Sequence, residues 1–169
     1  MPPTADEFRE AVSRFATGIT VVTCVGDGVD HAMTANAFAS VSLEPLLVLV
    51  SVERDSRFHD AVSAASAWGV SILAEDAEPT AQWLATKGRP LPGQLEKVPH
   101  HRSPTLGVAF IDGALAALEC RTVETLKAGD HDVVIGEVVS ITLPDLETAT
   151  PLLYYRRKYR AILPGRSGD

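Results

Sequence analysis

The segment from 114 to 143 limits the fold most. Two long strand patterns, at 114–126 and 131–143, are separated only by Lys127-Ala128-Gly129-Asp130, which predicts a long antiparallel hairpin. Val133, Ile135, Val138 and Ile141 do not share one parity. A bulge near Gly136 reconciles them, because one extra residue moves the following side chains to the other face.

Shorter elements lead up to this ribbon. Thr4 and Glu7 form a capping box, and Phe8, Ala11, Val12 and Phe15 then recur as one apolar helical stripe that ends at Gly18. Residues 19–25 are β-branched, and Gly26-Asp27-Gly28 marks a turn into a strand near 30–34. The run 46–52 is continuously apolar and of strand length, as in a strand buried on both faces. Ser56 caps a short helix reaching 66, residues 68–73 read as a strand, and Pro79 suits the first turn of a helix to about 86. Residues 87–104 form a loop rich in Gly, Pro and His, of a length that is more often functional or mobile than idle. The sum is about six strands, mostly hairpin-linked, and three short helices: a mainly β, α+β chain forming a small antiparallel barrel with helices at its ends.

Composition sets the outer bounds. The 169 residues fit one domain, with 46% hydrophobic residues for a core but only 6% aromatic ones. No run approaches the roughly 20 apolar residues of a membrane span. The start, Met1-Pro2-Pro3-Thr4-Ala5-Asp6-Glu7, lacks the apolar segment of a signal peptide, so the expected location is the cytoplasm. Residues 1–150 carry a net −11, which disfavours nucleic-acid backbones, whereas 151–169 carry +4. The cations Arg156, Arg157, Lys158 and Arg160, interleaved with Tyr154, Tyr155 and Tyr159, could dock an anion, but read first as a solvated tail. Cys24 and Cys120 each lie in apolar stretches, as core filler rather than a disulfide.

Chemistry concentrates in a few places. Thr34-Ala35-Asn36-Ala37-Phe38-Ala39-Ser40-Val41-Ser42 sets hydrogen-bonding side chains among small residues just after a strand. Such a stretch either lets a ligand approach the backbone or satisfies its own turn. Ser51, Ser56 and Arg57 suit a phosphate, with an Arg57 ion pair to an acid such as Asp60 as the plainer reading. His131 heads a strand after a tight Gly129-Asp130 turn and can project at a barrel rim. His100 and His101 lack a partner at metal spacing. No Gly-x-Gly-x-x-Gly, Walker, Gly-x-Ser-x-Gly or zinc pattern is present.

Three groups of residues then appear in one order. They are Phe8-Arg9-Glu10-Ala11 with Phe15-Ala16-Thr17-Gly18-Ile19-Thr20-Val21-Val22-Thr23; Met33-Thr34-Ala35-Asn36-Ala37-Phe38 with Ser40-Val41-Ser42-Leu43-Glu44-Pro45; and Gly129-Asp130-His131 with Ile135-Gly136-Glu137-Val138. Over about 8–160 the chain resembles the short-chain NAD(P)H:flavin oxidoreductases, the reductase components of two-component flavin monooxygenases. The resemblance implies an FMN-binding split β-barrel with short flanking helices, a single flavin reductase-like domain with a basic tail at 161–169, and a homodimer with flavin near the interface. It also implies that Thr34, Ala35 and Asn36 meet the flavin and that Ser40, Val41 and Ser42 line its ring or ribityl chain. Ser51, Ser56 and Arg57 would lie toward its phosphate, His131 beside the nicotinamide, and Tyr159 at the pocket border. The loop at 87–104 departs from the acidic, Phe-bearing stretch of relatives.

The implied reaction is hydride transfer from C4 of NADH or NADPH to N5 of FMN or FAD, with reduced flavin passing to a separate monooxygenase. Such chemistry needs two stacked rings and exclusion of water more than a reactive side chain. Two other readings remain. One is an FMN-dependent oxidase or reductase of an organic substrate on the same barrel, like the pyridoxamine-phosphate oxidase relatives; the other is a non-enzymatic flavin-binding protein.

Overall fold

A two-residue link closes the architecture. In the computed structural model, which describes residues 1–90, 93–145 and 149–162, β3 (Val29–Ala35) and β4 (Phe38–Leu43) are the opposite edges of one seven-stranded sheet. Only Asn36 and Ala37 join them, so the sheet has to curl until its edges meet. Its order is β3, β2 (Thr20–Gly26), β6 (Ala67–Ile72), β9 (Ala116–Ala128), β10 (His131–Thr142), β5 (Leu46–Glu53), β4, with every neighbouring pair antiparallel. Two small sheets flank it. One joins β7 (His100–Arg102) to β8 (Ala109–Ile111), and the other joins β1 (Thr17–Gly18) to the hairpin of β11 (Leu153–Tyr155) and β12 (Lys158–Arg160). The barrel is thus built of more and shorter strands than the sequence pattern predicts. Three-residue strands such as β7 carry too little periodicity to register.

The long hairpin forms as read. Its register shifts once between Ile135 and Gly136 and again between Val138 and Ser140. Gly136 has a packing reason: a Cβ there would run into the ring of Trp68, which is wholly buried inside the barrel. Around Trp68 pack Val22, Cys24, Val48, Val50, Val52, Val70, Cys120 and Val134. The helix α2 (Arg57–Ala64), capped by Ser56, adds Phe58, Ala61 and Val62 to this core. Both cysteines are free and buried; burial foremost, then a nearby acid, pushes their thiols up to about 12.

A second core explains one difference from the sequence reading. The strand buried on both faces is β2, not β5. Helix α3 (Glu78–Ala85) and Leu95, Val98, Ala109 and Ile111 cover the outer side of β2 at Val21. In β5, Val48, Val50 and Val52 point inward, while Leu47, Leu49 and Ser51 are only half-buried. An apolar run reports hydrophobicity, and the layers laid over a sheet decide whether its second face is covered. The loop at 87–104 is docked through Leu95 and Val98. Its end is pinned by the buried carboxylate of Glu119, which accepts from Ser103 Oγ and the Thr105 and Leu106 amides. Burial pushes that carboxyl up, but these hydrogen bonds outweigh it and hold it below its usual range.

At the N-terminus, α1 (Ala5–Val12) carries the capping box of Thr4 and Glu7, with Glu7 accepting from the Thr4 N–H at 2.8 Å. Its apolar stripe is not part of the core: Phe8 is 63% exposed and Phe15, past the helix end, 76%. The basic cluster at 156–160 is not a loose tail. Arg156 and Arg157 take left-handed φ of 48° and 60° in the β11–β12 turn, and the Arg156 N–H donates to the Ser13 carbonyl at 2.7 Å. The expected tail at 161–169 lies, from 163 onward, outside the described residues.

Candidate functional site

Two segments, 34–39 and 51–57, line two clefts of opposite character. The first cleft holds about 330 Å³ and gathers Thr34, Ser56 and Arg57 with Lys87 and Arg89. The second holds about 660 Å³ and gathers Asn36, Phe38, Leu49 and Ser51 with Phe15 and Tyr154. Ala35 lies between the two groups, buried, with its carbonyl accepting from Thr20 Oγ1 at 2.8 Å. Ser51 is therefore not brought together with Ser56 and Arg57, because it faces outward from β5 beside Leu49.

The first cleft is cationic. Arg57 opens α2 and donates to the Arg89 carbonyl rather than pairing with Asp60. The Arg89 guanidinium donates to the carbonyls of Leu84, Thr86 and Ala32, at 2.8 Å for the last. Among the described residues neither arginine has a carboxylate within ion-pair distance; with Glu53 spent on Lys87, the two guanidiniums face the single further acid of the lining, Asp55, and the cleft keeps a net positive charge. Burial first, and then the charge of Arg57, push the Arg89 guanidinium down from its ordinary value. Such a pair suits a phosphate, which accepts several guanidinium hydrogen bonds at once. Lys87 is spent on an exposed pair with Glu53 at 3.0 Å. Ser56 uses its hydroxyl as a cap, accepting from the His59 N–H at 3.2 Å and donating to the Glu53 carbonyl at 2.7 Å. The Thr34 hydroxyl likewise donates to the Ala81 carbonyl at 2.7 Å.

The second cleft is mostly apolar with a cationic rim at Arg9 and Arg157. Its aromatic side chains are Phe15, Phe38 and Tyr154. Tyr159 stands behind Tyr154 at 5.6 Å between ring centroids and does not line the cleft. Ser40, Val41 and Ser42 also lie apart, on the bulged edge strand β4. There Val41 is 46% exposed and Ser42 Oγ accepts the Glu44 N–H at 3.1 Å.

His131 sits half-buried at the rim, across the register from Glu53, which lines the cationic cleft. Its Nδ1 donates to Asp130 Oδ1 at 2.8 Å, and this bond foremost holds the Asp130 carboxyl below its usual range. Nε2 is thereby the ring nitrogen left for a ligand. One residue on, Asp132 accepts from His59 Nε2 at 2.8 Å; that hydrogen bond is the chief reason its carboxyl too lies low. His100 and His101 are occupied by the Val98 carbonyl and by Asp112. Among the described residues no cluster of His, Cys, Asp and Glu could hold a metal ion.

Sequence reasoning missed Arg89 and the His59–Asp132 pair, and it set Tyr154 and Arg157, as members of a cluster able to dock an anion, first in a solvated tail. Arg89 lies in a loop without periodicity, and His59 and Asp132 are 73 positions apart, so no local pattern could link them.

Comparison with known proteins gives the context of this geometry. Residues 12–163 match the flavin reductase like domain. The chain is 38% identical over 158 residues to the NADH:riboflavin 5'-phosphate oxidoreductase of Streptomyces pristinaespiralis, covering 93% of this chain and 88% of that one. It is 36% identical to the reductase component of the 4-hydroxyphenylacetate 3-monooxygenase of Thermus thermophilus, covering 94% and 97%. Among solved structures, the NADH:FAD oxidoreductase of Streptomyces globisporus, in complex with NAD and FAD fragments, superposes with a TM-score of 0.88 at 33% identity, covering 96% and 94%. A barrel closed by a two-residue link, with a cationic and an apolar cleft on the same two segments, is in this chain the form of a shared fold: the protein belongs to the flavin reductase like domain family.

Proposed function

We propose that this protein is an NADH-dependent flavin reductase, an NAD(P)H:flavin oxidoreductase that releases reduced flavin for a separate monooxygenase. The observation that carries the reading is the joint lining of the two clefts by 34–39 and 51–57. Flavin nucleotides are themselves divided in this way, into a flat ring and a phosphate. The names of the relatives, including a reductase component of a monooxygenase, support the same direction.

The residues present fit such a ligand. Arg57 and Arg89, without carboxylate partners, supply the charge a phosphate needs. Asn36 holds the polar edge of the ring in the apolar cleft, where Ser51 and Leu49 bound it from β5, while Thr34 lines the cationic cleft and Ala35 joins the two. Bound flavin supplies the hydride acceptor, and NADH supplies the hydride. The protein's part is to hold the rings in contact and keep water out. His131 Nε2 orients the nicotinamide by a hydrogen bond, with Asp130 fixing the ring's tautomer. Tyr159 acts from behind the lining by bracing Tyr154, and Ser40, Val41 and Ser42 would reach the flavin only from the exposed edge strand β4.

The reading extends to assembly and location. Val12 and Phe15 are exposed yet line the apolar cleft. A second copy packed on α1 covers this stripe and shuts the cleft from water, so the working unit is a homodimer, measurable by analytical ultracentrifugation. Buried free thiols at Cys24 and Cys120 fit a reducing cytoplasm. Among the described residues no helix is long and apolar enough to cross a membrane. The whole of 8–160 acts as one domain.

The deciding experiment is anaerobic NADH oxidation, followed by absorbance, with and without added FMN, FAD or riboflavin. Turnover that scales with added free flavin is the expected result. Flavin left oxidised by both NADH and NADPH would overturn the reading. A flavin that stays bound through turnover of an organic substrate would replace it with an oxidase on the same barrel.

A further inference from the structure

One side-chain pair ties the start of β10 to the first turn of α2. His59 Nε2 donates to Asp132 Oδ2 at 2.8 Å, with only 16% and 14% of the two side chains exposed. Arg54 adds two weaker stitches at the same joint. Its Nε lies 3.5 Å from Asp132 Oδ1, and its backbone N–H donates to the Asp130 carbonyl at 3.0 Å. On the helix side, the His59 N–H is the group that Ser56 caps, so the joint lies within one turn of Ser56 and Arg57. On the strand side, Asp132 follows His131, and strand alternation sends their side chains to opposite faces. Asp132 therefore faces His59 while His131 faces the rim.

Burying a histidine and a carboxylate costs more than burying apolar groups of the same size. What a directed hydrogen bond adds over apolar packing is a fixed geometry. We infer that Asp132 and His59 are positioning residues for hydride transfer, holding His131 at a set distance from the Ser56–Arg57 turn. The inference rests on the role proposed above for His131. One rigid joint then places both the nicotinamide contact and the phosphate contact, and neither member touches a substrate.

A double-mutant cycle between His59→Ala and His131→Ala tests this, with kcat and KM measured for NADH and FMN and melting temperatures taken alongside. His59→Ala lowers kcat/KM for NADH about fivefold, as expected when a reacting geometry loosens. In the His131→Ala background the same change causes no further loss for NADH, while KM for FMN still rises about threefold through the α2 turn. His59→Gln, whose Nε2 reaches the same carboxylate, restores most of the NADH activity. If His131→Ala leaves the kinetics unchanged, the role of His131 falls and this inference falls with it. If His131→Ala is impaired and the His59→Ala loss adds to it in full, the joint is overturned and the role of His131 stands. A lowered melting temperature with kcat/KM intact also overturns the joint. Should His59→Ala not fold, Asp132→Ser breaks the same bond from the strand side with a smaller loss of side-chain volume, and the same cycle decides.

Discussion

The two clefts are lined by the same two segments yet differ in how their character arises. In the apolar cleft, Leu49 and Ala39 are paired on adjacent strands and face outward, where the end of α1 and the β11–β12 hairpin only partly cover the sheet. In the cationic cleft, Arg57 and Arg89 come from a helix start and a docked loop, held by backbone carbonyls instead of carboxylates. The first is an apolar surface left partly open, and the second is a pair of guanidiniums that, among the described residues, form no ion pair. Each omission has a cost in the free protein, through exposed apolar area in one case and repulsion between guanidinium groups in the other. A ligand with one flat apolar end and one anionic end relieves both.

That contrast can be broken from either side. The largest effect is expected from Arg57→Glu, which reverses the charge at the phosphate end. KM for FMN should rise roughly 100-fold, the range of a lost charge-assisted hydrogen bond with added repulsion, while riboflavin, without a phosphate, is used as before. Equal losses for FMN and riboflavin would show that the cationic cleft does not read phosphate.

Leu49→Ser tests the other end. Losing part of the apolar contact to the ring should weaken FMN, FAD and riboflavin alike by about tenfold. A loss confined to the nucleotides would place the ring elsewhere. His131→Ala should then cost about three- to tenfold in kcat/KM for NADH, with KM for flavin unmoved; unchanged kinetics would remove His131 from the site.

Glu119→Gln should do least to turnover, since it lies in neither cleft. Its effect belongs to stability. The folded carboxyl titrates below its usual value of 4.5, so its contribution is complete above that pH and is lost as pH falls through the depressed folded value. The variant should be less stable by about 1–2 kcal/mol at neutral pH and should show a flatter acid limb in urea titrations between roughly pH 3 and 6. An unaltered acid limb would mean that the Glu119 carboxyl titrates alike in the folded and unfolded chain.

Much of the fold was readable because its signals are local. The Thr4–Glu7 box, the Ser56 cap, the turn at Gly26-Asp27-Gly28 and the bulge near Gly136 each involve residues a few positions apart. The candidate site was readable only in part. Thr34, Asn36, Ser51, Ser56 and Arg57 do line clefts, but the sequence put Ser51 with the phosphate group, and the parity of β5 puts it with Leu49. Likewise Tyr159 was distinguishable from Tyr154 only once the β11–β12 hairpin paired them face to edge.

The chain's own order of residues therefore determined its elements, the apolar inward faces of its strands and a core in which both cysteines serve as filler, because caps, turns and periodicity are interactions between near neighbours. Three-dimensional closure decided the rest. It chose which face of β5 stays partly open, which arginines lie side by side bonded to carbonyls, and which histidine meets Asp132 from 73 positions away. Those choices depend on what the folded barrel brings within a few ångströms, and distance along the chain carries no record of that.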